Sequence, residues 1–89
     1  MEKWHRVVAN MAHQGGGKFR DTTNYIYAND VVEVLARFRR IPAVKRSRSI
    51  PTIEPLSAEE AAALEKIIAE NNVNLERARA TWYFGLRLR

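Results

Sequence analysis

The sequence predicts an all-α fold, a compact bundle of three to four short helices with a long basic connector. Three observations predict it. Apolar residues recur at helical spacing in several stretches, a strong helix-start signal stands at Ser57, and glycine or proline separates the stretches. The alternative is an α+β fold in which residues 18–28, 49–54 or 81–89 form a short hairpin or a C-terminal strand. With 89 residues, we expect a single small domain, residues 1–89, with one modest core.

Residues 2–13 are predicted to form the first helix. Their apolar side chains recur at positions i, i+3, i+4 and i+7, which are Trp4, Val7, Val8 and Met11. A strand fits less well, because it would place Trp4 on one face with Arg6 and Asn10. The glycines at 15–17 are expected to stop this helix.

The second predicted helix covers residues 23–40. Its first part is ambiguous, since residues 18–28 place good strand formers on alternate positions, whereas Thr22 or Thr23 could cap a helix. The prediction favours a helix there. Residues 30–40 are helical on either interpretation, with Asp30 and Glu33 as a possible capping box. Pro42 should end the helix near Arg40.

Two further helices are predicted at 57–71 and 75–84. Ser57 and Glu60 have the spacing of a capping box, with Leu56 placed to pack against the first turn. Asn74 could cap the last helix. Residues 81–89 could equally form a strand, because leucine and arginine alternate from Leu86 to the end of the chain.

Composition excludes several classes of protein. The chain has no cysteine, so neither a disulfide framework nor a thiolate zinc site is available. No membrane segment or signal peptide is visible, and we expect a cytoplasmic protein that does not associate with membranes. The two histidines, His5 and His13, are expected on the surface. No cofactor and no metal are predicted.

A basic stretch in the middle of the chain is the main functional signal. Residues 1–50 carry ten Lys/Arg and four Asp/Glu, whereas residues 51–89 carry five and six. The predicted nucleic-acid-binding residues are Arg37, Arg39, Arg40, Lys45, Arg46 and Arg48. Such a cluster is typical of proteins that bind the phosphate backbone of DNA or RNA. The first hypothesis is therefore a small, non-catalytic accessory protein that binds nucleic acid.

Two other interpretations of this basic stretch stay open. The glutamates of the helix at 57–71 could form ion pairs with the cations of the basic stretch, within one molecule or across a homodimer. Alternatively, the cations are simply solvated surface.

The aromatic run at the C-terminus supports a second hypothesis. Trp82, Tyr83 and Phe84 cannot all face inward from a helix, and such residues are enriched at protein interfaces. They are the predicted interface residues of a protein-interaction module, such as an inhibitor, an antitoxin-like partner or an assembly adaptor. A homodimer is expected in either case.

No enzymatic activity is predicted. The run of glycines before Lys18 suggests a phosphate-binding loop, but Ala12 stands where the first glycine of that motif belongs and Phe19 where its hydroxyl residue belongs. No serine lies in a G-x-S-x-G setting, so no catalytic residue is proposed.

Overall fold

The structure, a computed structural model, has an α+β fold, and the all-α prediction is therefore wrong. It describes residues 2–12, 19–41 and 50–84; for residues 10–12, 19–21 and 84 only the backbone is described. The elements are β1 (Lys3–Ala12), β2 (Phe19–Ala28), α1 (Val31–Phe38), β3 (Thr52–Pro55), α2 (Ala58–Glu70), α3 (Leu75–Ala80) and β4 (Tyr83–Phe84). The strands form an antiparallel sheet in the order β3-β1-β2-β4. This is the α+β alternative that the sequence left open.

β1 replaces the first predicted helix. It pairs with β2 over ten residues, from Lys3 opposite Ala28 to Ala12 opposite Phe19. Both faces of β1 are buried: Trp4 faces α2 and α3, whereas Val7 and Ala9 face α1. A strand buried on both faces loses the alternation of apolar and polar residues, so its apolar positions matched a helical spacing.

The predicted helix at 23–40 is correct only in its second half. Residues 23–28 belong to β2, where pairing with β1 satisfies their backbone groups. α1 starts at Val31. Asp30 is its N-cap, and the Asp30 carboxylate accepts a hydrogen bond from the Glu33 amide at 2.9 Å. It ends at Phe38, before the predicted end near Arg40.

α2 confirms the capping box predicted at residue 57. Glu60 N donates to Ser57 Oγ at 3.2 Å, and Ser57 N donates to Glu60 Oε1 at 3.1 Å. Asn74 caps α3 as expected, accepting from Arg77 N at 3.1 Å. α3 is shorter than predicted, however, since it ends at Ala80 and the chain then enters β4.

Helices cover both faces of the sheet and divide the core into two clusters. The cluster under α1 comprises Val7, Ala9, Ile26, Ala28, Val34, Phe38 and Ile41. The cluster under α2 and α3 comprises Trp4, Tyr25, Leu56, Leu64, Ile68 and Ala78. Burial on the two faces stabilises a sheet whose flanking strands, β3 and β4, are only four and two residues long.

Two polar side chains are buried with the core. His5 is buried, contrary to the surface position predicted for it, and its Nδ1 lies 3.0 Å from the carbonyl oxygen of Lys3. The surface prediction for His5 was wrong because β1, the strand that carries it, is buried on both faces. His13 lies outside the described residues. Asn24 is fully buried, and among the described residues neither its amide nitrogen nor its carbonyl oxygen has a hydrogen-bond partner.

Candidate nucleic-acid interface

The structure describes three of the six predicted nucleic-acid-binding residues. Arg37 lies in the last turn of α1, Arg39 caps its C-terminus, and Arg40 follows in the turn. Lys45, Arg46 and Arg48 lie outside the described residues.

Arg37 makes several contacts within the chain. Its Nη1 donates to the carbonyl oxygen of Tyr27 at 3.1 Å and to that of Arg79 at 2.8 Å, while Nη2 lies 3.2 Å from a Glu33 carboxylate oxygen. Each carbonyl needs such a donor. β4 reaches only as far as Tyr25, so the carbonyl of Tyr27 lies on an edge of β2 that β4 does not cover. The carbonyl of Arg79 belongs to the last turn of α3, where helical acceptors lack partners. Arg37 therefore joins α1, β2 and α3.

Arg39 and Arg40 are exposed at the same end of α1. The turn that carries them is fixed by backbone bonds, from Arg39 N to Leu35 O at 3.1 Å and from Arg40 N to Arg37 O at 3.0 Å. Among the side chains that the structure describes, no carboxylate lies within ion-pair distance of either guanidinium. These two cations thus face water, next to the segment that holds the other three in sequence.

The glutamates of α2 pair with other cations. Glu60 Oε2 lies 2.7 Å from Nη2 of Arg6 on β1. Glu65 Oε2 lies 2.5 Å from Nη2 of Arg79 on α3. The Trp4 indole nitrogen also donates to Glu65 at 2.9 Å. In the described part of the molecule, the glutamates of α2 therefore form ion pairs with arginines of β1 and α3, and not with those at the end of α1.

These pairs shift the pKa values of their members. The hydrogen bond from Arg6 is the main cause that lowers the pKa of Glu60, and the same bond raises the pKa of Arg6. Burial acts to raise the pKa of Glu65, but hydrogen bonds from Arg79 and Trp4 together lower it below its ordinary value. The hydrogen bond that Arg79 donates to Glu65 raises the pKa of Arg79. Both glutamates are therefore held in the charged form.

The net positive charge lies mostly outside the described body. The described side chains include eight Lys/Arg and nine Asp/Glu, so they nearly balance. Residues 13–18, 42–49 and 85–89 together carry six Lys/Arg and no Asp/Glu. These three segments therefore carry a formal charge of +6, whereas the described side chains carry −1.

The predicted interface aromatics pack within the chain where they are described. Trp82 is half-buried against the cluster under α1, and Tyr83 packs against the cluster on the other face. The Tyr83 hydroxyl accepts a hydrogen bond from Asn71 Nδ2 at 2.9 Å. The side chain of Phe84 lies outside the described residues. Side chains of neighbouring residues in extended backbone point to opposite faces of the sheet. Trp82 can therefore pack against one core cluster while Tyr83 packs against the other. Their contact with another protein stays a prediction.

Sequence reasoning missed the polar cluster around Glu65. The guanidinium of Arg79 lies over the Tyr27 ring, 4.8 Å from its centroid, and the Trp4 and Tyr27 rings meet edge to face at 5.3 Å. These residues come from β1, β2, α2 and α3. No local pattern could find them, because the strand register that pairs Trp4 with Tyr27 and the packing of α2 and α3 on the sheet bring them together.

Within the described ranges, no group of three or more His, Cys, Asp or Glu has the arrangement of a metal site. None of the helices there is both long enough and apolar enough to cross a membrane. Comparisons with protein-family models, with curated proteins and with solved structures found no match.

Proposed function

We propose that this protein is a small, non-catalytic accessory protein that binds the phosphate backbone of nucleic acid. The proposed contacts are Arg39, Arg40, Lys45, Arg46 and Arg48, and Arg37 holds the helix that presents them. The observation that carries the proposal is the exposure of Arg39 and Arg40 without a carboxylate neighbour among the described side chains. Cytoplasmic location belongs to the same proposal and rests on the sequence.

Charge balance within the body supports this assignment. The three described ion pairs join Arg6, Arg37 and Arg79 to glutamates, and thereby use cations that do not belong to the exposed group. The structure therefore offers, in its described part, no internal anion for Arg39 and Arg40. Phosphate oxygens are the complementary ligand for guanidinium groups, which can bind them with two parallel hydrogen bonds.

The expected binding is strong at low salt and largely independent of base sequence. Five phosphate contacts would give a slope of about −4.5 for log affinity against log salt on duplex DNA, from about −0.9 for each contact. Contacts to phosphate position a protein but do not read bases. This chemistry suits an accessory protein that needs to stay on nucleic acid without choosing a site.

Two double variants with the same change in net charge test the proposal. Arg39→Ala with Arg40→Ala removes the exposed pair at the end of α1. Lys66→Ala with Arg77→Ala removes two exposed cations from α2 and α3, on the opposite face of the sheet. Binding is measured by fluorescence anisotropy on a labelled duplex and a labelled single strand.

We expect the first double variant to lose roughly 50-fold in affinity at about 0.1 M salt, since each lost phosphate contact removes about a factor of eight there. The second should change affinity less than about threefold, because only the long-range field is weakened. Equal losses in the two variants would show that net charge alone acts, and would overturn the assignment of the site. Absence of any binding by the parent protein would overturn the function.

A further inference from the structure

Trp82 is a half-buried aromatic side chain on the face of the sheet that carries α1. The structure describes six aromatic side chains, of which three are buried: Trp4, Tyr25 and Phe38. The guanidinium of Arg79 covers the Tyr27 ring, 4.8 Å from its centroid, and Tyr83 packs on the opposite face of the sheet. Among the described rings, Trp82 therefore combines partial exposure with a position on the α1 face.

The exposed arginines are anchored to the cluster against which Trp82 packs. Phe38 and Ile41 stand directly before and after Arg39 and Arg40 in the sequence, and both are buried in that cluster. The turn between them is closed by a hydrogen bond from Ile41 N to Phe38 O at 3.1 Å. The two cations and the indole ring thus share one apolar support.

Arg37 holds the last turn of α1 at the strand edge that Trp82 borders. Its Nη1 donates to the carbonyl oxygens of Tyr27 on β2 and of Arg79 on α3. Trp82 follows Arg79 by three residues and directly precedes β4. The pairing of β4 with β2 begins at Tyr25, two residues from Tyr27. The C-terminal end of α1 and Trp82 therefore lie at the same edge of β2.

From this arrangement we infer that an unpaired base stacks on Trp82, beside the phosphate contacts of Arg39 and Arg40. The inference rests on the proposed function and adds a base to the phosphate as a ligand of the same site. Proteins that bind single strands combine cations with aromatic rings, because every base has a face that can stack. A duplex offers its phosphates to the arginines, but its bases are already paired and stacked on each other.

Tryptophan fluorescence of the unmodified protein tests this inference. The chain has two tryptophans, and Trp4 is buried with its indole nitrogen bonded to Glu65. A base stacked on Trp82 should therefore quench the emission when an unlabelled single strand is added at low salt. A duplex of the same sequence, bound through its phosphates, should leave the emission nearly unchanged. Equal quenching by both ligands would overturn the inference, as would a single strand that binds without quenching.

Two variants at position 82 measure the contribution of stacking. Trp82→Leu keeps an apolar side chain without a ring, whereas Trp82→Phe keeps a ring. Affinities for a labelled single strand and a labelled duplex are measured by anisotropy. We expect Trp82→Leu to lose roughly 5- to 150-fold on the single strand, the contribution of one stacked base, and less than about threefold on the duplex. Trp82→Phe should keep most of the single-strand affinity.

The outcomes separate the inference from the proposed function. If Trp82→Leu weakens both ligands equally, Trp82 acts only through its packing, and the inference is wrong while the function stands. Unchanged single-strand binding by Trp82→Leu leads to the same conclusion. If the unmodified protein binds neither ligand at low salt, the proposed function itself fails. Thermal melting checks that both variants are folded, and the fluorescence of the unmodified protein decides where a substitution unfolds the chain.

Discussion

Replacing Arg37 by alanine should destabilise the fold, although Arg37 belongs to the basic stretch that marks the proposed binding site. Its guanidinium donates to the carbonyl oxygens of Tyr27 and Arg79 at 3.1 and 2.8 Å and pairs with Glu33 at 3.2 Å. Hydrogen bonds from a charged donor contribute about 1.5–3 kcal/mol each, and an exposed helix pair adds about 0.3–0.5 kcal/mol. The Arg37 side chain is 26% exposed, so water would partly replace it at both carbonyls. We therefore expect Arg37→Ala to lower the free energy of unfolding by about 2–4 kcal/mol.

Thermal and urea denaturation measure this effect, with Arg39→Ala as the matched control. For a domain of this size, a loss of 2–4 kcal/mol lowers Tm by roughly 10–20 °C. Arg39 is exposed, and its replacement should stay within about 0.5 kcal/mol. The loss of stability in Arg37→Lys should lie between those of Arg37→Ala and Arg39→Ala, because an ammonium keeps the charge but not the planar donor geometry. If Arg37→Ala and Arg39→Ala melt within a few degrees of each other, Arg37 does not join α1 to β2 and α3 as described.

Two further predictions concern the core and its polar edge. Because the pKa of Glu65 is lowered in the folded state, its stabilising effect is present above its unfolded pKa, about 4.3, and disappears as pH falls through the folded value. Glu65→Gln should therefore lower the free energy of unfolding by about 1–2 kcal/mol at neutral pH, with a smaller difference near pH 3 in urea titrations; an equal difference at both pH values contradicts this. Asn24→Val should raise the free energy of unfolding by about 1 kcal/mol, because it removes a buried amide for which the described part of the chain offers no partner. Thr23→Val, at a half-exposed neighbouring position, controls for strand propensity, and a destabilised Asn24→Val protein would mean that the amide has a partner in solution.

Local signals in the sequence predicted some elements well. α2 begins where Ser57 and Glu60 exchange hydrogen bonds, and all the groups that make this start lie within four residues. Asp30 and Asn74 likewise cap the helices that follow them. Capping depends on the residues next to the helix end, so a single sequence contains the information.

β1 could not be recognised in the same way. Trp4 and Val7 lie under different helices, and their spacing matches a helix only because both faces of the strand are buried. His5 is likewise buried in this strand, at a position that the sequence predicted to be on the surface. Such burial depends on elements distant in sequence, which no local pattern describes.

The basic stretch shows a similar division between composition and geometry. Its charge is evident from the sequence, but the contacts of Arg37 with residues 10 and 42 positions away are not. Likewise, the pairing of Glu60 with Arg6 requires the packing of α2 on β1, and the pairing of Glu65 with Arg79 requires the packing of α2 beside α3. The sequence predicted a group of cations, and the structure distinguishes Arg37, used within the fold, from the exposed Arg39 and Arg40.

The salt dependence of duplex binding by the unmodified protein tests the central claim most directly. Affinity for a labelled duplex of about 20 bp is measured by anisotropy over a series of salt concentrations starting near 25 mM. The account predicts a linear fall of log affinity with log salt, with a slope of about −4.5 from five contacts. Absence of binding at the lowest salt, or an affinity that salt does not change, would contradict it.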